Sequence, residues 1–381
     1  MLMHRSFFFF PVLLVVCGVA LFASGQSSGT MPVSYICIEV ESGVVLMEQH
    51  ADLVRPPASM LKMMQMLLVE EGVQAGNWTY DTPVEVSALA QSMGGTQVFL
   101  AKGETWPLET LMQAIAVASG NDASVAIAEG LWGSVDACIK VMNQRAQELG
   151  MTNTLFRSVN GLPPDDGKSF DRSSARDMAI LGRALLAYPK LLTFTQIREF
   201  SLRPENTARK NTNQLLERMP GCDGLKTGYI RAAGFCLTAT AKRDDIRLLA
   251  VVMGSDRTGR FTHTQSILEE GFDMVQRVVP VRAGAPIGRP VAVTRGLASQ
   301  VALLALNDIH AVVRHSDLER VILEVTAPSE LEAPVEKGVE AGSVRVMLDN
   351  IILGETTLLV AEEVQRRRWQ HSLRELMGLA P

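Results

Sequence analysis

Pro57-Ala58-Ser59-Met60-Leu61-Lys62, Ser119-Gly120-Asn121 and Lys226-Thr227-Gly228 stand in this order, with gaps of about 60 and about 105 residues between successive strings. Each alone is a chance occurrence in many chains. Together they offer the groups that an activated nucleophile needs. A serine hydroxyl is a weak nucleophile until a base takes its proton. With Ser59 at a helix start, Lys62 comes one turn later on the same face, so its amine can reach the hydroxyl. That amine is a base at neutral pH only when largely uncharged. Burial and a nearby cation both lower a lysine pKa, and Lys226 is the candidate cation. A helix N-terminus also aims backbone N–H groups at the serine, which suits an oxyanion. Ser119 is expected to relay the proton, and the Asn121 amide to hold a substrate backbone. Lys226 and Thr227, on an edge strand, would meet a substrate carboxylate and amide, and an extended peptide can pair with that strand. Gly228 is expected to leave room where the ligand approaches.

Around these strings the pattern is α+β. Tyr35 to Val40 and Gly43 to Leu46 read as two strands joined by a tight turn. Arg55-Pro56-Pro57-Ala58 breaks the chain before an apolar helix over Met60 to Val69. Pro107 to Leu149 reads as largely helical, and Arg172 to Leu186 as an amphipathic helix with Met178, Leu181, Leu185 and Leu186 on one side. Gly224 to Tyr229, Gly234 to Ala241 and Arg247 to Met253 read as three strands before a helix over Thr262 to Arg277. Strands at both ends with helices between them predict an antiparallel sheet whose first strands pair with its last. From Val278 to about Leu359, short apolar runs broken by Gly, Pro and Asp predict a small all-β domain.

The two ends are different in kind. His4 and Arg5 precede an uncharged stretch from Ser6 to Phe22, and Ala23-Ser24-Gly25 supplies small residues, so residues 1–25 read as an export signal. Glu362 to Leu379 predicts an amphipathic helix, with Trp369, Leu373, Leu376, Met377 and Ala380 on one face. Arg366, Arg367, Arg368, His371 and Arg374 occupy much of the rest, which suits a membrane surface. The expected domains are therefore 1–25 as signal, 30–277 as catalytic domain, 278–360 as β domain and 361–381 as anchor. A net charge of −5 carries no sign of nucleic-acid binding. Cys37, Cys138, Cys222 and Cys236 have no metal-type spacing, and no pair among them can be named.

At this point the chain resembles the D-alanyl-D-alanine carboxypeptidases, the low-molecular-mass penicillin-binding proteins of the serine-peptidase type with S-x-x-K, S-G-N and K-T-G motifs. Asn160-Gly161-Leu162-Pro163, Ser174-Ala175-Arg176-Asp177-Met178-Ala179, Asp223-Gly224-Leu225, Ala233-Gly234-Phe235, Val252-Met253-Gly254 and Gly259-Arg260 extend the likeness over residues 30–277. The resemblance implies a β-lactamase/transpeptidase-like domain, a peptidoglycan stem peptide ending in D-Ala-D-Ala as substrate, and an acyl-Ser59 intermediate. It further implies acylation of Ser59 by penicillins and other β-lactams, no cofactor and no metal, and a periplasmic enzyme held peripherally on the outer face of the inner membrane by its tail. Arg260 is a candidate for the terminal carboxylate, because an Arg fork matches it with two hydrogen bonds. The Tyr229 N–H is a candidate oxyanion donor beside that of Ser59.

Three departures stand out. Tyr229-Ile230 replaces the usual His-Thr after Lys-Thr-Gly, Lys210-Asn211-Thr212-Asn213 lacks the central Arg of an Asn-Arg-Asn string, and Asp171-Arg172 replaces a His-Tyr. The first leaves a D,D-endopeptidase acting on cross-links open as an alternative. A class A β-lactamase needs a deacylating Glu, and no acidic residue between Ser119 and Lys226 lies in a Glu-x-x-Leu-Asn context. A wall-binding protein without turnover would have to explain why every chemical residue is kept.

Overall fold

The strand that carries Lys226-Thr227-Gly228 is the edge of a five-stranded antiparallel sheet, and the rest of the domain is arranged around that edge. A computed structural model describes residues 3–8, 31–203 and 208–368 of the chain. Two compact units are present, one over residues 31–273 and one over residues 274–368 with the strand Met3–Phe8.

In the first unit the chain opens with β1 (Ser34–Glu39) and β2 (Val45–Gln49). It closes with β3 (Cys222–Ile230), β4 (Gly234–Arg243), β5 (Ile246–Ser255) and α7 (Gly259–Met274). The sheet order is β2-β1-β5-β4-β3, so the first hairpin joins the last three strands as expected. Between them lie α1 (Lys62–Gln74), α2 (Leu108–Gln113), α3 (Asn121–Trp132), α4 (Val135–Glu148), α5 (Ala175–Leu186) and α6 (Pro189–Thr195).

The helix α1 is apolar nearly all round, and it is accordingly the buried centre of the domain, with Met63, Met64, Met66, Leu67 and Val69 inaccessible to solvent. Its buried polar groups are all satisfied. Gln65 exchanges hydrogen bonds with Ser124 (2.8 and 2.7 Å), and Glu70 accepts from Gln74 and the Tyr80 hydroxyl. The amphipathic helix predicted from Arg172 starts at Ala175 instead, because the Ser174 hydroxyl caps it by accepting the Asp177 N–H at 3.1 Å. The long helical stretch expected from Pro107 is broken at Ser119-Gly120. A π-helical turn over Ala114–Ala118 ends there, with Ser119 left-handed at φ +61°.

The second unit is all β, from β6 (Val275–Val281) through β7 (Val291–Thr294), β8 (Leu303–Ala305), β9 (Ile309–Arg314) and β10 (Val321–Pro328) to β11 (Glu330–Glu332), β12 (Glu340–Leu348) and β13 (Ile351–Val360). The helix expected to run to Arg277 therefore ends at Met274, and its last residues belong to β6. Met3–Phe8, read from sequence as the start of the export signal, pairs antiparallel with β10. The rest of that signal lies outside the described residues.

The predicted tail helix is corrected at its start. Glu362 to Arg368 is not helical. Val364 exchanges backbone hydrogen bonds with Val335 (2.8 and 2.9 Å), Leu297 N–H donates to the Gln365 carbonyl at 2.9 Å, and Arg367 N–H to that of Arg295 at 2.8 Å. Backbone pairing with the β unit overrides helix propensity there. Trp369 and everything after it lie outside the described residues.

Candidate active site

Ser59 sits on a 3-10 turn, Ala58–Leu61, that leads directly into α1. Ala58 is left-handed at φ +49°, a strained conformation for a residue with a Cβ. Gly228 of β3 packs on this turn. A Cβ at Gly228 would lie 2.6 Å from the Pro57 carbonyl oxygen and 3.2 Å from Met60 Cγ. Room for a ligand was the expected reason for this glycine, and the structure corrects it: Gly228 is required by the close approach of the edge strand to the nucleophile's turn.

Lys62 is fully buried. Its Nζ donates to the Ser119 carbonyl at 2.7 Å and to Asn121 Oδ1 at 2.6 Å, and it lies 3.4 Å from Ser119 Oγ. Burial pushes this amine well below the ordinary lysine range, and the charge of Lys226 pushes it further, against an opposing pull from Asp122. A neutral amine has two N–H bonds and one lone pair. With both N–H bonds committed to carbonyl oxygens, the lone pair is left for a hydroxyl. The Ser59 hydroxyl itself donates to the Asn160 carbonyl at 3.2 Å, and in this state its hydrogen bond does not go to Lys62.

Lys226 reaches the same place from the opposite wall. Its Nζ donates to Ser119 Oγ at 2.9 Å and to the Thr227 carbonyl at 3.1 Å, and the side chain is 1% exposed. Burial, followed by the charge of Arg260, lowers it to about 7. Ser119 Oγ therefore lies between two lysine amines. The structure brings together Ser59, Lys62, Ser119, Asn121 and Lys226, and it sets Lys226 on Ser119 where a direct meeting with substrate carboxylate was expected.

The Thr227 hydroxyl donates to Thr212 Oγ1 at 2.8 Å, so the threonine that stands in place of an Arg holds Thr227 of β3. Tyr229 is half exposed and stacks on Phe235 with ring centroids 4.1 Å apart. Ile230 turns into the core, so the position of the missing hydroxyl is given to apolar packing. Arg260, the candidate for a terminal carboxylate, lies with Nη1 3.5 Å from the Gly228 carbonyl and its guanidinium over Phe235 (5.1 Å) and Phe261 (4.5 Å).

Asp122 and Asn213 support the site without having been singled out from sequence. Asp122 accepts the N–H groups of Val98 and Leu100, and Asn121 Nδ2 donates to the Gly94 carbonyl at 2.8 Å. Together they lay the segment 94–100 along the second motif. Asn213 Nδ2 donates to the Gly224 carbonyl at 2.9 Å, fixing the entry to β3. The signal for Asp122 was its place next to the motif. The role of Asn213 depends on a contact that only the fold creates. The four cysteines among the described residues are all free thiols.

Residues 26–257 match the family described as D-alanyl-D-alanine carboxypeptidase, and residues 276–366 match the C-terminal domain of penicillin-binding protein 5. The chain is 35% identical over 351 residues to D-alanyl-D-alanine carboxypeptidase DacF of Bacillus subtilis, an alignment covering 91% of this chain and 89% of that protein. Its fold is similar to that of penicillin-binding protein 5 from Haemophilus influenzae, with TM-score 0.70 and 28% identity over 90% of this chain and 100% of the other. Penicillin-binding protein D2 from Listeria monocytogenes, solved with ampicillin bound, matches with TM-score 0.58 and 30% identity over 65% of this chain and 100% of the other. On this likeness in sequence, fold and motif order, the chain belongs to the D-alanyl-D-alanine carboxypeptidase family.

Proposed function

We propose that this chain is a serine-type D-alanyl-D-alanine carboxypeptidase in which Ser59 is the nucleophile, Lys62 its base and Ser119 the proton relay. The observation that carries the reading is Ser119 Oγ held between Lys226 Nζ at 2.9 Å and Lys62 Nζ at 3.4 Å, with both amines buried and depressed.

Turning from the Asn160 carbonyl, Ser59 gives its proton to the Lys62 lone pair, and Oγ bonds to the carbonyl carbon of the penultimate D-alanine. The C–N bond to the terminal D-alanine breaks, and the proton passes from Lys62 through Ser119 Oγ to the departing nitrogen. Water then attacks the acyl-enzyme. Its proton goes to Lys62, the C–Oγ bond breaks, and Ser59 recovers a proton. The N–H groups of Ser59 and Tyr229 hold the oxyanion in both halves. Asn121 and β3 align the peptide, with Thr227 and Arg260 on its terminal carboxylate. A β-lactam, like the ampicillin in the Listeria relative, enters through the first half of this sequence.

Intact-mass spectrometry with a penicillin, and a D-amino-acid assay on a synthetic pentapeptide, test the assignment. A one-to-one adduct that disappears in Ser59→Ala, together with release of free D-alanine, is expected. An adduct surviving Ser59→Ala would refute it. A defined cross-linked muropeptide separates carboxypeptidase from endopeptidase turnover.

Export through residues 1–25 and peripheral attachment through the tail complete the reading. No helix among the described residues is long and apolar enough to cross a membrane. Since Glu362 to Arg368 pairs with the β unit, truncation after Arg368 is the informative cut: loss of liposome binding with full activity supports the anchor, and unchanged binding ends it.

A further inference from the structure

Asp171 is a buried carboxylate, 5% exposed, with no cationic partner among the described residues, an expensive arrangement unless the protein needs its acceptors. Its side-chain hydrogen bonds run to one turn and the approach to it. Oδ1 accepts the N–H groups of Arg157 (2.6 Å) and Ser158 (3.0 Å), and Oδ2 accepts the Ser158 hydroxyl (2.7 Å). The Ser158 oxygen in turn accepts the Gly161 N–H at 2.9 Å. That turn touches the nucleophile twice. The Asn160 carbonyl accepts the Ser59 hydroxyl, and Gly161, at φ +79°, lies against the Ala58–Ser59 peptide. A Cβ at Gly161 would sit 2.4 Å from the Ala58 carbonyl carbon and 2.9 Å from Ser59 N.

The residues around Asp171 are pinned on both sides of the same path. Arg172 exchanges backbone hydrogen bonds with Leu155 (2.9 and 3.0 Å), on the way to Asn160. Ser173 does so with Arg55 (2.8 and 2.9 Å), on the way to Ser59. Asp171 thus stands where the two approaches to the nucleophile are tied together, at a position where this chain departs from its family's usual His.

We propose that Asp171 is a positioning residue for Ser59, acting through the Ser158 hydroxyl to hold the Asn160-Gly161 turn against the nucleophile's peptide. The proposal rests on the assignment of Ser59 as nucleophile. Its effect falls on the acylation step and spares ground-state binding, because the hydrogen bonds of Asp171 and Ser158 run to the Asn160-Gly161 turn and its approach and none reaches β3. A misplaced nucleophile costs rate steeply, so a roughly ten- to hundredfold loss is expected.

The test uses the mature full chain with the variants Ser158→Ala, Ser158→Thr and Asp171→Asn. It measures acylation by a fluorescent penicillin, kcat and KM for D-alanine release, and Tm. Ser158→Ala should lower kcat and the acylation rate by that factor with KM unchanged, and Ser158→Thr, which keeps the hydroxyl, should recover most of the loss. Asp171→Asn still accepts the two backbone N–H groups but not the Ser158 proton, and should resemble Ser158→Ala. If it fails to fold, the Ser158 pair decides. Acylation within twofold of the parent in Ser158→Ala, or equal losses in the Ala and Thr variants, overturns the proposal. A parent chain that takes up penicillin anywhere but Ser59 overturns the nucleophile assignment instead.

Discussion

Lys226→Met should move the acid limb of the acylation profile to higher pH, and the size of the move follows from the geometry at Ser119. Both lysine amines contact Ser119 Oγ, at 2.9 and 3.4 Å. Their nitrogens therefore lie no more than about 6 Å apart, and at an effective dielectric of about 20 two charges at that distance repel by about 3 kcal/mol. That corresponds to roughly 2 pKa units. Lys62 must be neutral to take the Ser59 proton. Its pKa is lowered by burial and then by Lys226, so removing Lys226 raises it, and a higher pH is needed to empty the amine. The charge that depresses Lys62 is the one Lys226 carries below about 7. The methionine keeps the buried bulk while removing the charge. The assay is the second-order rate of labelling by a fluorescent penicillin from acid to alkaline pH, in parent and variant. An acid limb displaced upward by about 2 units is expected. If the plateau falls but the limb stays within about half a unit, Lys226 acts only as a hydrogen-bond partner of Ser119, and the electrostatic argument is wrong.

Arg260→Ala should raise KM by roughly tenfold or more for a pentapeptide with a free C-terminal carboxylate, but little for its C-terminal amide, since hydrogen bonds to charged groups contribute about 1.5 to 3 kcal/mol. Equal losses on both peptides would assign Arg260 to the packing of Phe235 and Phe261. Gly228→Ala should cost about 1 to 3 kcal/mol through overpacking against Pro57, read as a fall in Tm of several degrees with slower acylation; an unchanged Tm would show that the edge strand is not seated on the turn. Arg247 and Asp223, joined by two bonds of 2.8 Å at about one-fifth exposure, should show a coupling of about 1 kcal/mol in a double-mutant cycle by denaturant unfolding, and additive losses would contradict a held ion pair.

Much of the site was legible because its chemistry is tied to spacing. Ser59 and Lys62 lie one helical turn apart, and Lys226 stands in a run whose strand character is set by its neighbours. The same holds for the sheet: a two-stranded hairpin at the start of the domain is marginal alone, so it joins the three strands at the end. What sequence could not show was how side chains meet across the fold. Lys62 spends its N–H bonds on Ser119 and Asn121 carbonyl oxygens, and the Ser59 hydroxyl rests on Asn160, 101 residues away. Gly228 was read as open space, when the space is filled by Pro57. The irregular turns at Ala58 and Ser119 follow from left-handed residues that local propensity disfavours. At the C-terminus, the helical period that begins at Trp369 was extended backward through the arginines, where backbone pairing with Val335 and Arg295 governs instead.

The position of β3 has a consequence for how this enzyme coexists with other chains. An unpaired strand edge invites a second sheet to join it, and native proteins usually blunt such edges with charge, bulges or covering loops. Here the edge carries Lys226 pointing inward, and the facing wall comes within 2.9 Å of that lysine through Ser119. An inward-pointing lysine on an open edge is one of the devices that discourage edge-to-edge pairing. The lysine that hydrogen-bonds Ser119 thereby also guards the open edge of the fold, making it costly for a second sheet to add there.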